Sequence, residues 1–347
     1  MKYTLCVEPN QSSQTTYTCQ YSDFPPYSLL SIDRESYMVH SVIENSDEGW
    51  CMDGRLVHNL QVGRYCSFAE DVFFLIGRGK DFKRVSTSAA KVFHKSEEPE
   101  KYRHREKGSV MIENDVWVGR KASFMSGVTV HNGAIVAAMS HVVKDVPPYA
   151  IVGGNPAKVI GYRFSEETIR KLLTIQWWNW PEEKIEKYSS YFNDTELFCD
   201  MFYEQAQSEV EEVVNKAEKS GRDKYLFLVD YKDNYSITPD VIDAFIQKFK
   251  QLEEKELVLY WINSNSPEDF VNLKNCKEIS QTVEKKTEIK CKISLIEGSI
   301  EQIKHIMPDI RHLILNRRSE MIQVMNYAEV YGSDIEIISG VDSSISL

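Results

Sequence analysis

Residues 112–147 decide the fold, and in groups of six they read IENDVW VGRKAS FMSGVT VHNGAI VAAMSH VVKDVP. One large side chain opens each group: Ile112, Val118, Phe124, Val130, Val136 and Val142. A period of six fits neither the helical turn of about 3.6 residues nor the simple alternation of a strand. It is typical of a short strand followed by a turn, in which three groups complete one triangular coil of a parallel β-helix.

A second, smaller inward position recurs within the same groups. Its members are Val116, Ala122, Val128, Ala134, Ser140 and Val146. A weaker copy of the pattern lies upstream in LVHNLQ VGRYCS FAEDVF, residues 56–73. There the large positions are Leu56, Val62 and Phe68, and the smaller ones are Leu60, Cys66 and Val72. The two runs predict separated coils of one β-helix.

The segment between the two runs, residues 78–110, is too long for an ordinary turn. Residues 80–107 carry nine Lys and Arg against five Asp and Glu, so the segment is basic within an acidic protein. Loops of this length without regular structure are usually functional or disordered. We predict an inserted functional loop, and a solvated surface loop is the alternative.

Composition limits the class of protein. The 347 residues are 42% hydrophobic, which favours a globular chain over a disordered one, and the net charge of −11 argues against broad nucleic-acid binding. No stretch approaches the roughly 18 apolar residues of a membrane span, and the beginning MKYTLCVEPN does not read as a secretory signal. Seven scattered cysteines without a C-x-x-C pair predict reduced thiols, no metal site and a cytoplasmic location.

From about residue 224 the pattern changes to five short apolar strands that alternate with helical stretches. Such alternation predicts a parallel sheet covered on both faces. Neither G-x-G-x-x-G nor a Walker A sequence is present, so the usual phosphate cradles are missing. Asp230 and Asn263 follow predicted strands, where open α/β sheets bind ligands. A domain used only for contacts, or a degenerate remnant, is the alternative.

These patterns divide the chain into predicted units. They are an N-terminal segment (1–37), a β-helix domain (38–160) with the inserted loop 78–110, a helical extension (161–221) and an α/β domain (222–347). Within the extension, Ser165 is a predicted N-cap, Pro181 a first helical residue, and Trp177, Trp178 and Trp180 packing anchors. At the last boundary, SGRD at 220–223 predicts a junction that few contacts cross.

The motifs VGRYCSFAEDV, VPPYAIVGGNPAKVI and WWNWP together resemble the hexapeptide acyltransferases of the xenobiotic and polysaccharide O-acetyltransferase family. This family includes enzymes that acetylate chloramphenicol and streptogramins, and the resemblance covers about residues 38–190. It implies a left-handed parallel β-helix with flanking helices. Together with the strand and helix alternation after residue 224, this predicts a mixed fold that ends in a C-terminal Rossmann-like α/β domain of about five parallel strands. The resemblance also implies a homotrimer with active sites between subunits and acetyl-CoA as co-substrate.

The same resemblance assigns residues to the cofactor. Small side chains leave room for the pantetheine arm, a tight turn brings backbone close to a ligand, and a cation meets the phosphates. The residues in these three roles are Ala137 and Ala138; Gly153, Gly154, Asn155 and Pro156; and Lys158. Lys144 and Arg163 are further candidate cations. A turn that merely ends the β-helix is the alternative interpretation of this segment.

The catalytic position departs from the family. A histidine is expected a few residues before V-S-T, but GRGKDFKRVST at 77–87 has Lys80 there. A lysine with an ordinary pKa of about 10.4 is protonated at pH 7 and takes no proton unless its surroundings lower that pKa. His94 or His104 as base, an amine acceptor, an activated Lys80 and an inactive site all remain open. His141 is predicted to be only a turn residue.

These observations lead to one functional prediction and one alternative. The prediction is acetyl-CoA-dependent O- or N-acetylation of a sugar or glycoconjugate, including a nucleotide-sugar or glycolipid, in surface polysaccharide biosynthesis. An antibiotic acceptor would use the same chemistry in a different pocket. The alternative is a catalytically altered or inactive trimeric scaffold that keeps the acyltransferase fold as a binding module.

Overall fold

The computed structural model describes residues 2–10, 12–19, 26–45, 59–77, 85–86, 108–217, 219–231, 236–262, 274, 277 and 288–339. Within these ranges the protein is a mixed α/β structure with parallel sheets. Five residues singled out by the sequence lie outside the described residues: Leu56, Lys80, His94, His104 and Asn263.

Short strands fill the first part of the chain, which we call the coil region (residues 2–162). Its strands are β1 Lys2–Val7, β2 Thr15–Cys19, β3 Tyr27–Ile32, β4 Tyr37–Asn45, β5 Leu60–Val62, β6 Ser67–Ile76, β7 Val110–Ile112, β8 Trp117–Val118, β9 Ser123–Phe124, β10 Thr129–Val130, β11 Ile135–Val136, β12 His141–Val142, β13 Ala150–Gly153 and β14 Lys158–Tyr162. Parallel pairing begins at β3, inside the segment 1–37.

The register of the parallel strands repeats every three groups of six. Thr129 pairs with Met111, Ile135 with Trp117 and His141 with Ser123, each 18 residues apart. The six large side chains of residues 112–142 are at most 1% exposed, and the smaller inward set is equally buried. The inward positions expected from the six-residue spacing therefore form one core.

The strands of the coil region lie in three columns. The first column contains β4, the start of β6, β8, β11 and β13. The second contains the end of β6, β9 and β12, and the third contains β3, β5, β7 and β10. Because β6 pairs in both the first and the second column, it crosses the corner between them.

Helices follow the coil region and pack through aromatic side chains. They are α1 Glu166–Ile175, α2 Glu182–Lys187 and α3 Thr195–Lys216, with 3₁₀ turns at Trp177–Asn179 and Ser189–Asn193. Ser165 caps α1 as predicted, accepting from the Thr168 amide, whereas Pro181 occupies the cap position just before α2. Trp178 and Trp180 are buried packing residues, as predicted. Among the described residues, no helix has both the length and the apolar character to cross a membrane.

The last part of the chain, which we call the α/β region (residues 223–339), contains one parallel sheet. Its elements are β15 Asp223–Leu228, α4 Thr238–Phe249, β16 Lys255–Ile262, β17 Lys292–Gly298, β18 His312–Leu315, α5 Met321–Tyr331 and β19 Glu336–Ser339. The strand order is β17-β16-β15-β18-β19, and all described pairs are parallel. Asp230 does not form an open ligand site, because it is buried and accepts from Ser236 and Thr238 at the start of α4.

The α/β region covers the third column of the coil region, so the prediction that few contacts cross residues 220–223 is wrong. Met111, which points outward from β7, packs into the apolar cluster of the α/β region. Gln61 donates to the Asn316 carbonyl at 3.0 Å, and Asn114 donates to the side chain of Asn326 at 2.7 Å. Trp178 donates to the same Asn326 oxygen at 3.0 Å. The six-residue pattern marks inward side chains only, which is why it does not indicate this contact.

Candidate active site

A line of residues with left-handed backbone marks the corner between the first and second columns, which we call the first corner. Asp71, Lys121, Met139 and Gly154 have φ values of 60°, 59°, 61° and 98°. The Lys121 amide donates to the Glu70 carbonyl at 3.0 Å, and the Met139 amide donates to the Arg120 carbonyl at 2.8 Å. Successive turns therefore stack into a continuous edge.

Small residues line the upper part of the first corner. Ala137 is half-buried and Ala138 is exposed. A Cβ on Gly119, one coil below, would come within 2.5 Å of the Ala138 amide nitrogen, so glycine is required where these turns approach each other. The result is a narrow strip of small side chains and backbone, which suits a thin, extended ligand.

The GGNPAK turn closes this edge and is fixed by backbone hydrogen bonds. The Gly154 carbonyl accepts from the His141 amide at 2.9 Å, and the Ala157 amide donates to the His141 carbonyl at 2.8 Å. A Cβ on Gly154 would meet only the Pro156 carbonyl, at 3.6 Å, so glycine is needed there for its φ rather than for space. Gly154, Asn155, Pro156 and Lys158 are exposed and accessible to a ligand.

Two of the three expected cations are accessible. Lys158 is exposed in the turn itself, and Lys144 is exposed after strand β12. Arg163 instead donates to Asp115 and to the Gly133 carbonyl, both at 2.8 Å, so it is a structural residue of the opposite corner. These bonds place the Arg163 guanidinium at the corner between the third and first columns, not at the first corner that the GGNPAK turn closes.

His141 is also corrected by the structure. It lies on strand β12 rather than in a turn, and its Nδ1 is 2.8 Å from the Ser123 hydroxyl on the neighbouring strand. The sequence missed this because the sixth position of each group was interpreted as part of a turn. A serine and a histidine 18 residues apart are the signal that predicts the contact.

A group of polar side chains lies lower on the first corner, and sequence reasoning missed it. The Nδ1 atom of His40 is 3.1 Å from Oδ1 of Asp71, and both side chains are a little over 40% exposed. Arg120 lies 3.1 Å from Glu70 and 3.7 Å from Asp71. A register shift between β4 and β6 produces the arrangement, because His40 pairs with Glu70 while Ser41 pairs with Val72. Asp71 is thus the extra residue of a β-bulge, a feature that re-aims side chains.

Other reactive groups are excluded as catalysts by burial. Burial raises the pKa of the Cys66 thiol to about 12, and its sulfur donates to the Glu113 carbonyl inside the coil region. Such a thiol is not a nucleophile at neutral pH. In the described ranges, no set of three or more His, Cys, Asp or Glu side chains is grouped so that it could hold a metal ion.

The buried Glu113 carboxylate interacts with titratable side chains of the coil region and of α5. Burial alone lowers the pKa of His131, but the Glu113 carboxylate 3.2 Å away outweighs this and raises it to about 9. Burial raises the pKa of Glu329 to about 7, and the negative charge of Glu113 adds to the effect. Glu113 also accepts from the Asn132 amide at 2.9 Å. These side chains support the contact between regions and lie away from the first corner.

Comparison with known proteins identifies the family. A relative from Lysinibacillus sphaericus, named "Probable macrolide acetyltransferase", is 38% identical over 164 residues, which are 46% of this chain and 84% of the relative. A chloramphenicol acetyltransferase from Klebsiella aerogenes is 40% identical over 133 residues, which are 37% of this chain and 63% of the relative. No protein-family model matches the chain. The chain belongs to the family of acetyltransferases that these two relatives represent.

The match to the relatives is partial. The chain spans about 63% of the length of the chloramphenicol acetyltransferases from Klebsiella aerogenes and Morganella morganii. A solved structure of a hexapeptide-repeat-containing acetyltransferase from Vibrio cholerae is 26% identical, covers 31% of this chain and 53% of its own, and has a TM-score of 0.24. Family membership is therefore established by the sequence relatives, and the acceptor does not follow from it.

Proposed function

We propose that this protein transfers an acetyl group from acetyl-CoA to a small-molecule acceptor. The observation that carries the proposal is the 38% identity to the macrolide acetyltransferase over 84% of that relative's length. The exposed GGNPAK turn at the end of the first corner supports it. Lys158, within the turn, would supply positive charge for the phosphates of acetyl-CoA.

The residues at the first corner fit acetyl-CoA chemically. Ala137, Ala138 and the glycine turn would leave the pantetheine arm a strip without bulky side chains. Lys158 would meet the phosphates, and Lys144 is exposed on the adjoining strand end. Acetyl-CoA would supply the activated thioester, and the chain would supply its orientation and a group that accepts the acceptor's proton.

The finer fold and assembly belong to the same proposal. We infer that the coils form a left-handed β-helix built from hexapeptides, that the α/β region is Rossmann-like and that the protein is a cytoplasmic homotrimer. Exposed apolar side chains on the first column and on β14 support the assembly, including Trp117 at 57% and Ile160 at 67%. Since the α/β region covers the third column, subunits would meet through the other two. Light scattering should give three times 40.2 kDa, and a stable monomer would contradict this.

For the acceptor we propose a sugar or glycoconjugate of surface polysaccharide biosynthesis. The large α/β region supports this choice, because modifying a drug gives no evident need for an additional region packed on the coils. The relatives' names point instead to antibiotics, so chloramphenicol and a macrolide are the first comparators. A nucleotide-sugar, a glycolipid and a free amino sugar complete the acceptor panel.

The experiment has a binding part and a turnover part. Calorimetric titration of the purified full chain with acetyl-CoA should show one site per subunit, and thiol release should rise above the uncatalysed rate with one class of acceptor. Mass spectrometry of the acceptor then separates O- from N-acetylation. No binding of acetyl-CoA by folded protein would contradict the proposal.

A second candidate function rests on Lys80, which stands where the family has its catalytic histidine. In that case the protein is a trimeric scaffold that binds a CoA ester or a glycan without turning it over. Binding of acetyl-CoA combined with no thiol release for any acceptor, water included, would favour this function over catalysis.

A further inference from the structure

The stacking of the first corner fixes the distance between the GGNPAK turn and the polar side chains lower on the coils. Gly154 stacks on Ala138, Ala138 on Arg120 and Arg120 on Glu70, as the strand registers require. Neighbouring strands lie about 4.8 Å apart, so the turn and Asp71 are separated by three spacings, or roughly 14 Å. An extended ligand anchored by its phosphates at the turn and running down the first corner would present its far end near Asp71.

This spacing separates two histidines that border the same corner. His141 is bonded through its backbone to Gly154 and Ala157, so it lies at the level of the turn, beside the phosphate end. His40 lies about one strand below Asp71, at the level reached by the far end of the ligand. An imidazole that is to act on the thioester must lie at that far end, which favours His40.

We propose that His40, oriented by Asp71, is the general base for acetyl transfer in this protein. The inference rests on the proposed function, since it assigns a base to that same reaction. Nδ1 of His40 lies 3.1 Å from Oδ1 of the Asp71 carboxylate. Once aligned, a hydrogen bond between them would hold the proton on Nδ1 and leave the Nε2 lone pair to accept another. Nδ1 is buried without an aligned hydrogen bond in the free protein, as is common for catalytic contacts that tighten when substrate binds.

The step balances without any further reactant. Nε2 of His40 removes the proton from the acceptor hydroxyl while its oxygen attacks the thioester carbonyl carbon. A C–O bond forms, the C–S bond breaks, and the departing thiolate takes the same proton from Nε2. Arg120 lies on the next strand above Asp71, and its guanidinium is 3.7 Å from the Asp71 carboxylate. Its positive charge offsets the negative charges of Asp71 and Glu70.

Turnover of matched variants tests the base. His40→Gln should lower kcat for thiol release, with water or the panel as acceptor, by about 10²–10⁴. Asp71→Asn keeps a residue that tolerates the left-handed backbone, and it should lower kcat at least about tenfold while KM for acetyl-CoA is unchanged. His305→Gln is the control, because it changes an exposed histidine of the α/β region. Its kcat should stay within about twofold of that of the unchanged protein.

Chemical labelling tests the position of His40 independently of turnover. Diethyl pyrocarbonate modifies unprotonated imidazoles, and saturating acetyl-CoA should slow labelling of His40 about tenfold. The nucleotide part of CoA, without the pantetheine arm, should not protect His40 from labelling, because a ligand that stops at the GGNPAK turn does not reach His40.

The outcomes separate this inference from the proposed function. Absence of acetyl-CoA binding in calorimetry overturns both. If acetyl-CoA binds, two results overturn the assignment of His40 alone: full labelling of His40 in its presence, or undiminished turnover by His40→Gln. Wild-type thiol release no faster than the uncatalysed rate would overturn both the assignment of His40 and acetyl transfer as the function.

Discussion

Replacing Asn326 by alanine should weaken the contact between the coil region and the α/β region. Asn326 is fully buried on α5, and its side-chain oxygen accepts from Trp178 at 3.0 Å and from Asn114 at 2.7 Å. Without that oxygen the buried Trp178 indole N–H has no acceptor, which costs about 1–3 kcal/mol. The Asn114 side chain keeps its hydrogen bond to Asn132 and loses only the one to Asn326. Losing that bond costs about 0.5–1.5 kcal/mol.

A smaller opposing effect comes from the helix. Alanine is a better helix former than asparagine by up to about 0.7 kcal/mol. The net expectation is a destabilisation of about 1–4 kcal/mol. Asn215→Ala provides the matched control, because it makes the same change at an exposed position of α3 and should alter the free energy of unfolding by no more than about 0.5 kcal/mol.

Urea unfolding followed by tryptophan fluorescence and circular dichroism measures the effect. The Asn326→Ala protein should unfold at lower urea than the control, and the fluorescence transition should precede the loss of secondary structure because the weakened contact beside Trp178 opens first. Equal midpoints for Asn326→Ala and Asn215→Ala would refute the claim that this asparagine joins the two regions.

Three further predictions concern the turn, the loop and the buried histidine. Gly154→Trp should weaken acetyl-CoA binding in calorimetry without unfolding the coils, because the left-handed glycine turn is exposed; unchanged affinity would move the cofactor elsewhere. If the missing family histidine limits the rate, Lys80→His should raise acetyl transfer to hydroxyl acceptors. If Lys80 is itself functional, Lys80→Ala should lower turnover and Lys80→His should not restore it. The pKa values of His131 and Glu329 in the folded protein, about 9 and about 7, exceed their ordinary 6.5 and 4.5, so their favourable contribution is complete at low pH and is lost as pH rises. The Tm should therefore fall between pH 5 and pH 9, and an equal fall between pH 7 and pH 9 in His131→Gln would contradict the part assigned to His131.

The sequence predicted those parts of the structure that depend on repeated burial. A side chain that must point inward every six residues leaves a visible period, so positions such as Phe124 and Ala134 were identified correctly. Alternating apolar strands and helices likewise predicted a parallel sheet, which the described strands β15–β19 form. The cap at Ser165 followed from local chemistry alone.

Other features depend on contacts between distant segments, and the sequence carried no period for them. Asn326 meets Asn114 across 212 residues, and a single asparagine in a helix gives no sign of such a partner. Arg163 was interpreted as a free cation because its acceptor, Asp115, belongs to another coil. His40 and Asp71 meet only because of a register shift between β4 and β6.

A crystal structure of the full chain with acetyl-CoA is the most direct test of the central claim, that the first corner holds this substrate for acetyl transfer. We expect phosphates beside the GGNPAK turn and Lys158, the pantetheine arm over Ala138, and the thioester at the level of Asp71 and His40. Acetyl-CoA bound away from the first corner, or lying along it in the opposite direction, would contradict the account.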